Sequence, residues 1–281
     1  MNKVLQRLLV FFIGIPVVLA IVYIDVQKHL PLNLLIMAVS LLGADELYRI
    51  FSSKLELEPK PFVLFLTAIV PVSTYVFVIT GQPVYYTDYT FLLSAMLIMG
   101  FEVISRKVFE QSIQRISSSV FIVFYCGYLL TYLTKLTQSQ NSVFFVCSFL
   151  FTVFICDSFA WFFGVLFGKN NKGFIKVSPN KSLAGFIGGY FGAILSSLVP
   201  QLIRSDIFYG DLWKGCLIGV LIATSGIIGD LVESAFKRSA GCKDSGKIIP
   251  GRGGVLDSID SIVFSAPVYY CLVFFLYLPA A

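Results

Sequence analysis

The sequence predicts an all-α polytopic integral membrane protein of about nine transmembrane helices, with its N-terminus in the cytoplasm and its C-terminus outside. Three observations predict this. Of the 281 residues, 57% are hydrophobic and only 13% charged, with a mean hydropathy of +0.85. A soluble domain carries about 25% charged residues, so this chain has too few to cover a water-facing surface. Apolar segments long enough to span about 30 Å of hydrocarbon, roughly 20 residues each, recur along the chain. Lysine and arginine then collect in alternate connections. The composition excludes a disordered chain, a nucleic-acid-binding module and a disulfide scaffold. The net charge of +5 is accounted for by orienting cations, so no nucleic-acid partner is expected.

The first segment, 4–24, reads as an uncleaved span rather than a signal peptide. Segments 30–48 and 61–79 follow, with Pro59 and Pro61 as turn residues between them. Segment 90–104 is the weakest, because Glu102 sits near its end. Segments 117–134, 143–167, 184–203, 212–229 and 261–279 complete the set. Cytoplasmic loops carry an excess of Lys and Arg. With the N-terminus inside, that side receives Lys3, Arg7, Arg49, Lys54, Lys60, Arg106, Lys107 and Arg115, then Lys169, Lys172, Lys176, Lys181, Lys237, Arg238, Lys243, Lys247 and Arg252. The opposite side receives Lys28, Lys135, Arg204 and Lys214, which completes all 21 cations.

Residues 1–140 read as scaffold helices and 141–281 as the half that carries the working loops. The two late loops, 168–183 and 230–260, are long, polar, basic and rich in glycine, and loops on a rigid scaffold carry function more often than the scaffold does. The six cysteines are scattered without a C-x-x-C pair and suit buried positions rather than zinc or disulfides. With His29 as the one histidine, a Ser-His-Asp triad or histidine-rich metal site is nearly excluded. Chemistry falls to carboxylates, cations and a metal. No internal repeat is present.

If the eighth span continues past Gly229, Asp230, Glu233, Ser234 and Lys237 share one helical face. Such a stripe is poor lipid-facing material. Gly251, Gly253 and Gly254 flank Arg252 and leave backbone amides open to close approach. Asp257 and Asp260, three apart, share a face of the last helix. Hard cations such as Mg²⁺ take oxygen ligands, commonly one or two carboxylates with substrate phosphates. Asp230, Asp257 and Asp260 supply those oxygens if the helix ends meet. Lys237, Arg238, Lys243, Lys247 and Arg252 are suited to a polyphosphate, although anionic-lipid attraction also accounts for basic loops. Asp157 lies about ten residues inside the sixth span, where an ionised Asp costs at least ~2.5–3.5 kcal/mol on insertion scales. Such a residue faces a cavity or a partner. The following Lys169 and Ser178-Pro179-Asn180-Lys181-Ser182 resemble a phosphate cradle in composition alone. The pairs Gly185/Gly189 and Gly215/Gly219 read as close helix packing.

At these residues the sequence resembles the phosphatidate cytidylyltransferases (CDP-diacylglycerol synthases). Their C-terminal signature is matched in order and spacing by Ser234, Phe236, Lys237-Arg238, Lys243-Asp244, Gly246, Pro250-Gly251-Arg252-Gly253-Gly254, Asp257, Ser258 and Asp260. Their upstream pattern is matched by Asp157, Ser158, Ala160, Trp161, Gly168-Lys169 and the Ser178–Ser182 run. The resemblance covers roughly 155–265. Arg252 stands where the family has His, Ser258 where it has Arg, and Ala184 where many members have Glu.

The resemblance implies transfer of the cytidylyl group of CTP to phosphatidate, giving CDP-diacylglycerol and pyrophosphate for phospholipid biosynthesis. It implies Asp230, Asp257 and Asp260 as Mg²⁺ ligands with Asp244 close by, and Lys237, Arg238 and Lys243 as further catalytic residues on the phosphates. Asp157, Lys169, Ser178, Asn180, Lys181, Ser182, Arg252, Gly253 and Gly254 are the expected substrate-binding residues. The expected partners are CTP, phosphatidate and the lipid bilayer; the oligomeric state stays open, with a homodimer among the options. The expected location is a bacterial inner membrane with the site facing the cytoplasm. Two alternatives stay open: a related CTP-dependent membrane enzyme (a polyprenol kinase or a CDP-archaeol-type synthase), and a transporter. A transporter should carry paired discontinuous helices in two halves, whereas the charged elements here are confined to the C-terminal half.

Overall fold

The computed structural model describes residues 10–278. Lys3, Arg7 and the start of the 4–24 segment lie outside the described residues. Among those described, the regular elements are helical, and the β-type pairings are the isolated bridges Lys172–Ser182 and Ile249–Gly253. A π-helical turn, Val10–Gly14, leads into α1 (Ile15–Tyr23), followed by α2 (Leu30–Ser52), α3 (Lys60–Ile79) and α4 (Tyr86–Ser105). Then α5 (Ser112–Ile122) passes through a π-helical stretch, Val123–Tyr128, to α6 (Thr131–Leu136). The rest comprises α7 (Ser142–Phe167), α8 (Leu183–Ile203), α9 (Trp213–Ser239) and α10 (Leu256–Tyr277). Proline in the first turn of α1, α2 and α3 sits where its missing N–H costs no helical bond.

Among the described residues eight helical stretches are long and apolar enough to cross a membrane, α5 to α6 counting as one. The first expected span corresponds to the shorter apolar helix Phe12–Tyr23. The protein is therefore a helical integral membrane protein, as its composition requires.

The chain forms two compact units, Met1–Ser139 with Phe236–Ile259, and Gln140–Ala235 with Asp260–Ala281. Segment 236–259, expected with the C-terminal half, folds with the N-terminal helices. In the first unit Leu47, Leu66, Ile98, Ile122 and Tyr125 are buried, and the Phe236 ring packs edge-on to Phe51 and Phe121 at 5.3 and 5.4 Å. Glu102, which made the fourth span look weak, is buried against Arg115, whose Nε donates to both its carboxylate oxygens at 3.1 and 3.0 Å. Ser112 Oγ adds a bond at 2.6 Å. Outside the spans, burial and then nearby Glu102 push the Glu58 carboxyl up, while Arg106 pulls it down.

In the second unit Phe145, Phe149, Ala193, Ile222 and Tyr269 are buried. Helices α7 and α8 lie so close that a Cβ at Gly188 or Gly192 would strike Phe163 or Phe159 at 2.5 and 2.7 Å. A Cβ at Gly219 would meet the Ile194 backbone at 2.6 Å, and one at Gly215 the Gln201 side chain at 2.7 Å. The small residues allow the backbones this approach.

Candidate active site

In the second unit, α9 continues as a helix through the polar stripe to Ser239. It carries Asp230 and Glu233 three residues apart, and α10 brings Asp260. One carboxylate oxygen from each of the three lies within 4.8 Å of the other two. Glu233 is fully buried, Asp230 is about a third exposed and pairs with Lys181 at 2.5 Å, and the Oδ1 of Asp260 accepts the Ser261 amide at 2.6 Å. Asp157 of α7 is near enough to act electrostatically on Asp260. Carboxylates this close repel one another, and Lys181 offsets that at Asp230. Their donor set is hard oxygen throughout, which suits Mg²⁺.

The α7–α8 loop delivers Lys181 from its C-terminal end. It is tied by the Lys172–Ser182 bridge and by Asn171, whose carbonyl accepts the Leu183 amide at 3.0 Å. The Ser182 hydroxyl oxygen accepts the Gly185 amide at 3.1 Å and caps α8. This is a capping contact. Ser178 closes a turn through its carbonyl to the Lys181 amide, 3.1 Å. Lys169 and Asn180 line a cleft of about 370 Å³ with Trp161, Gly164, Val165 and Lys172.

In the first unit Lys237, Gly253 and Gly254 lie against Asp257. Its Oδ1 receives Lys237 Nζ at 2.5 Å. Its Oδ2 accepts the Ser245 amide at 2.8 Å, the Ser245 hydroxyl at 2.9 Å and the Gly254 amide at 2.7 Å. Gly253, at φ +118°, turns the loop tightly against Asp257 and Asp244. Arg238, Lys243, Lys247 and Arg252 of the same segment are exposed, where an anion from solvent can reach them.

Of the three expected metal ligands, Asp230 and Asp260 belong to the carboxylate cluster, with Glu233 as its third member. Asp257 lies in the other unit with the partners just given. Two acids escaped assignment from sequence. Glu233 was legible as part of the polar stripe but carried no role. Glu46, fully buried in α2, was legible as an acid inside an apolar segment, a pattern that marks function by default.

These features define a helical membrane protein with a partly buried acidic cluster and basic, glycine-bearing loops, chemistry suited to polyphosphates at a bilayer. The model of the cytidylyltransferase family matches residues 5–276, and the chain belongs to that family. It is 36% identical over 179 residues to the phosphatidate cytidylyltransferase of Staphylococcus epidermidis, covering 63% of this chain and 67% of the relative. It is 37% identical over 155 residues to the Aquifex aeolicus phosphatidate cytidylyltransferase, covering 55% and 56% of the two chains.

Proposed function

We propose that this protein transfers the cytidylyl group of CTP to phosphatidate, forming CDP-diacylglycerol and pyrophosphate. The observation that carries the reading is the family match across nearly the whole chain, set on a fold that gathers Asp230, Glu233, Asp260 and Lys181 in one place. A phosphatidate phosphate oxygen attacks the α-phosphorus of CTP. The new P–O bond joins lipid phosphate to CMP, and the bond between the α- and β-phosphates breaks to release pyrophosphate. The nucleophile is already ionised at neutral pH, so no histidine base is needed. The obstacle is the approach of two anions, which cations aimed at the developing charge overcome.

Asp230, Glu233 and Asp260 supply the oxygens that would hold Mg²⁺, which when bound lowers the charge on the phosphates and polarises them. Lys181 fixes the orientation of Asp230. Lys169 and Asn180 offer hydrogen-bond donors to an anionic head group entering the cleft beside Trp161. In the other unit, Lys237, Arg238, Lys243 and Arg252 are cations suited to phosphate groups, and the Gly253 and Gly254 backbone leaves room for close approach. The excess of Lys and Arg on alternate connections supports loops that face the cytoplasm of a bacterial inner membrane.

Purified protein in lipid nanodiscs should release pyrophosphate only when CTP, phosphatidate and Mg²⁺ are all present, and EDTA should stop it. Release that does not require phosphatidate would refute the reading.

A further inference from the structure

Helix α2 is an apolar span, yet Glu46 sits fully buried in it. A carboxylate there must be paired or hydrogen-bonded. Its partners come from some 200 residues further along the chain. The Oε1 of Glu46 accepts the Val255 amide at 3.0 Å. Its Oε2 accepts the Leu256 amide at 2.8 Å and the Ser245 hydroxyl at 2.9 Å. Leu256 opens α10, so these amides are the ones a helix N-terminus leaves without intrahelical acceptors, where negative charge is favoured. The loop closes directly over the carboxylate. A Cβ at Gly246 or Gly254 would collide with its oxygens, so glycine is required at both positions for this approach.

From Glu46 the contacts lead on to the signature residues. Ser245 joins the Glu46 carboxylate to that of Asp257, which also holds the Ser245 and Gly254 amides and Lys237. The Ser245 hydroxyl has one proton and serves one carboxylate at a time, while the amides keep both acids in place. Removing such an acid alone leaves its buried donors without an acceptor, which is costly. What the carboxylate adds is direction, since it fixes three donors of one loop at once.

We propose that Glu46 is a positioning residue for cytidylyl transfer. Contributed by the N-terminal helices, it holds the Ser245–Leu256 loop in the form that orients Asp257, Lys237 and the loop cations toward CTP. The proposal rests on the reaction assigned above, and its test separates the two. In Glu46→Gln, the amide nitrogen cannot accept from backbone N–H groups, so the loop loses at least one of its three anchors. At a temperature well below unfolding and normalised to folded protein, kcat should fall about 100-fold, the scale for misplacing a group by about 1 Å. KM for CTP should rise several-fold while KM for phosphatidate stays within twofold. Glu46→Asp, which keeps the charge, should recover at least tenfold of the lost kcat. Hydrogen exchange at the Val255 and Leu256 amides should quicken in Glu46→Gln. Wild-type kcat and KM for CTP in folded Glu46→Gln, or unchanged exchange at those amides, would overturn the proposal. Should Glu46→Gln not fold, Ser245→Ala carries the same test: about a tenfold loss of kcat with faster exchange supports it, and wild-type values overturn it. A wild-type protein that makes no CDP-diacylglycerol defeats the assigned reaction, while the exchange comparison still decides whether Glu46 anchors the loop.

Discussion

Replacing Glu233 by Gln should stabilise the metal-free protein and abolish its stabilisation by Mg²⁺. Glu233 is fully buried, and its carboxylate lies within 4.8 Å of those of Asp230 and Asp260. Two unit charges at that distance repel by about 3.5 kcal/mol at an effective dielectric constant of about 20. The Asp230 contact is reduced by its Lys181 partner and by partial exposure. The Gln amide removes that repulsion and can donate to the neighbouring carboxylates. A net gain of about 1–3 kcal/mol without metal is expected after allowance for the remaining screening. At roughly 2–4 °C per kcal/mol for chains of 150–250 residues, thermal unfolding in EDTA should move up by several degrees. Saturating Mg²⁺ should stabilise the wild type by about 2.7 kcal/mol at 100 times its Kd, and should leave Glu233→Gln unmoved. The assay is thermal unfolding in detergent or nanodiscs, with and without EDTA. A lower midpoint for Glu233→Gln in EDTA, or a Mg²⁺ shift equal to that of the wild type, would refute the cation site.

Three further outcomes follow from the geometry. Asp257→Asn should cut turnover at least 100-fold with normal membrane insertion, because the carboxylate collects Lys237, Ser245 and Gly254; wild-type turnover would remove Asp257 from the machinery. Glu102→Gln weakens the buried pairing of Arg115 and leaves Glu56 as its charged partner, and should cost about 1–3 kcal/mol of stability with little change in kcat at low temperature, as read by unfolding and by assay on the same sample. Gly192→Ala drives a methyl into Phe159 and the Ile155 backbone, and should destabilise by about 1–3 kcal/mol through the α7–α8 contact; an unchanged unfolding midpoint would show that the helices can part without cost.

Much of this was legible in the sequence because the bilayer permits few solutions. Apolar runs at 143–167 and 184–203 return as α7 and α8 nearly residue for residue, since a span must satisfy its own backbone. The π-helical stretch Val123–Tyr128 left no sign, being a change of hydrogen-bond register within an apolar run. Asp230 and Glu233 were visible as a stripe through helical periodicity, and the family signature marked Asp257 and Asp260. The grouping of Glu233 with Asp230 and Asp260 depends on where α10 begins, which side-chain patterning does not encode. Glu46 shows the same limit more sharply. Its partners are mostly backbone amides, which carry no residue identity, so sequence can flag the buried acid without showing what it holds. Ser182 illustrates the reverse case, in which a serine immediately before a helix is readable as an N-cap and its hydroxyl is used there.

The most direct test of the central claim follows the label from CTP. Protein in nanodiscs containing phosphatidate and Mg²⁺ is given CTP labelled at either the α- or the γ-phosphate. Cytidylyl transfer predicts α-label in the lipid fraction as CDP-diacylglycerol and γ-label in pyrophosphate. Lipid carrying the γ-label, with α-labelled CDP left in solution, would mean phosphorylation of a lipid acceptor and would contradict the account.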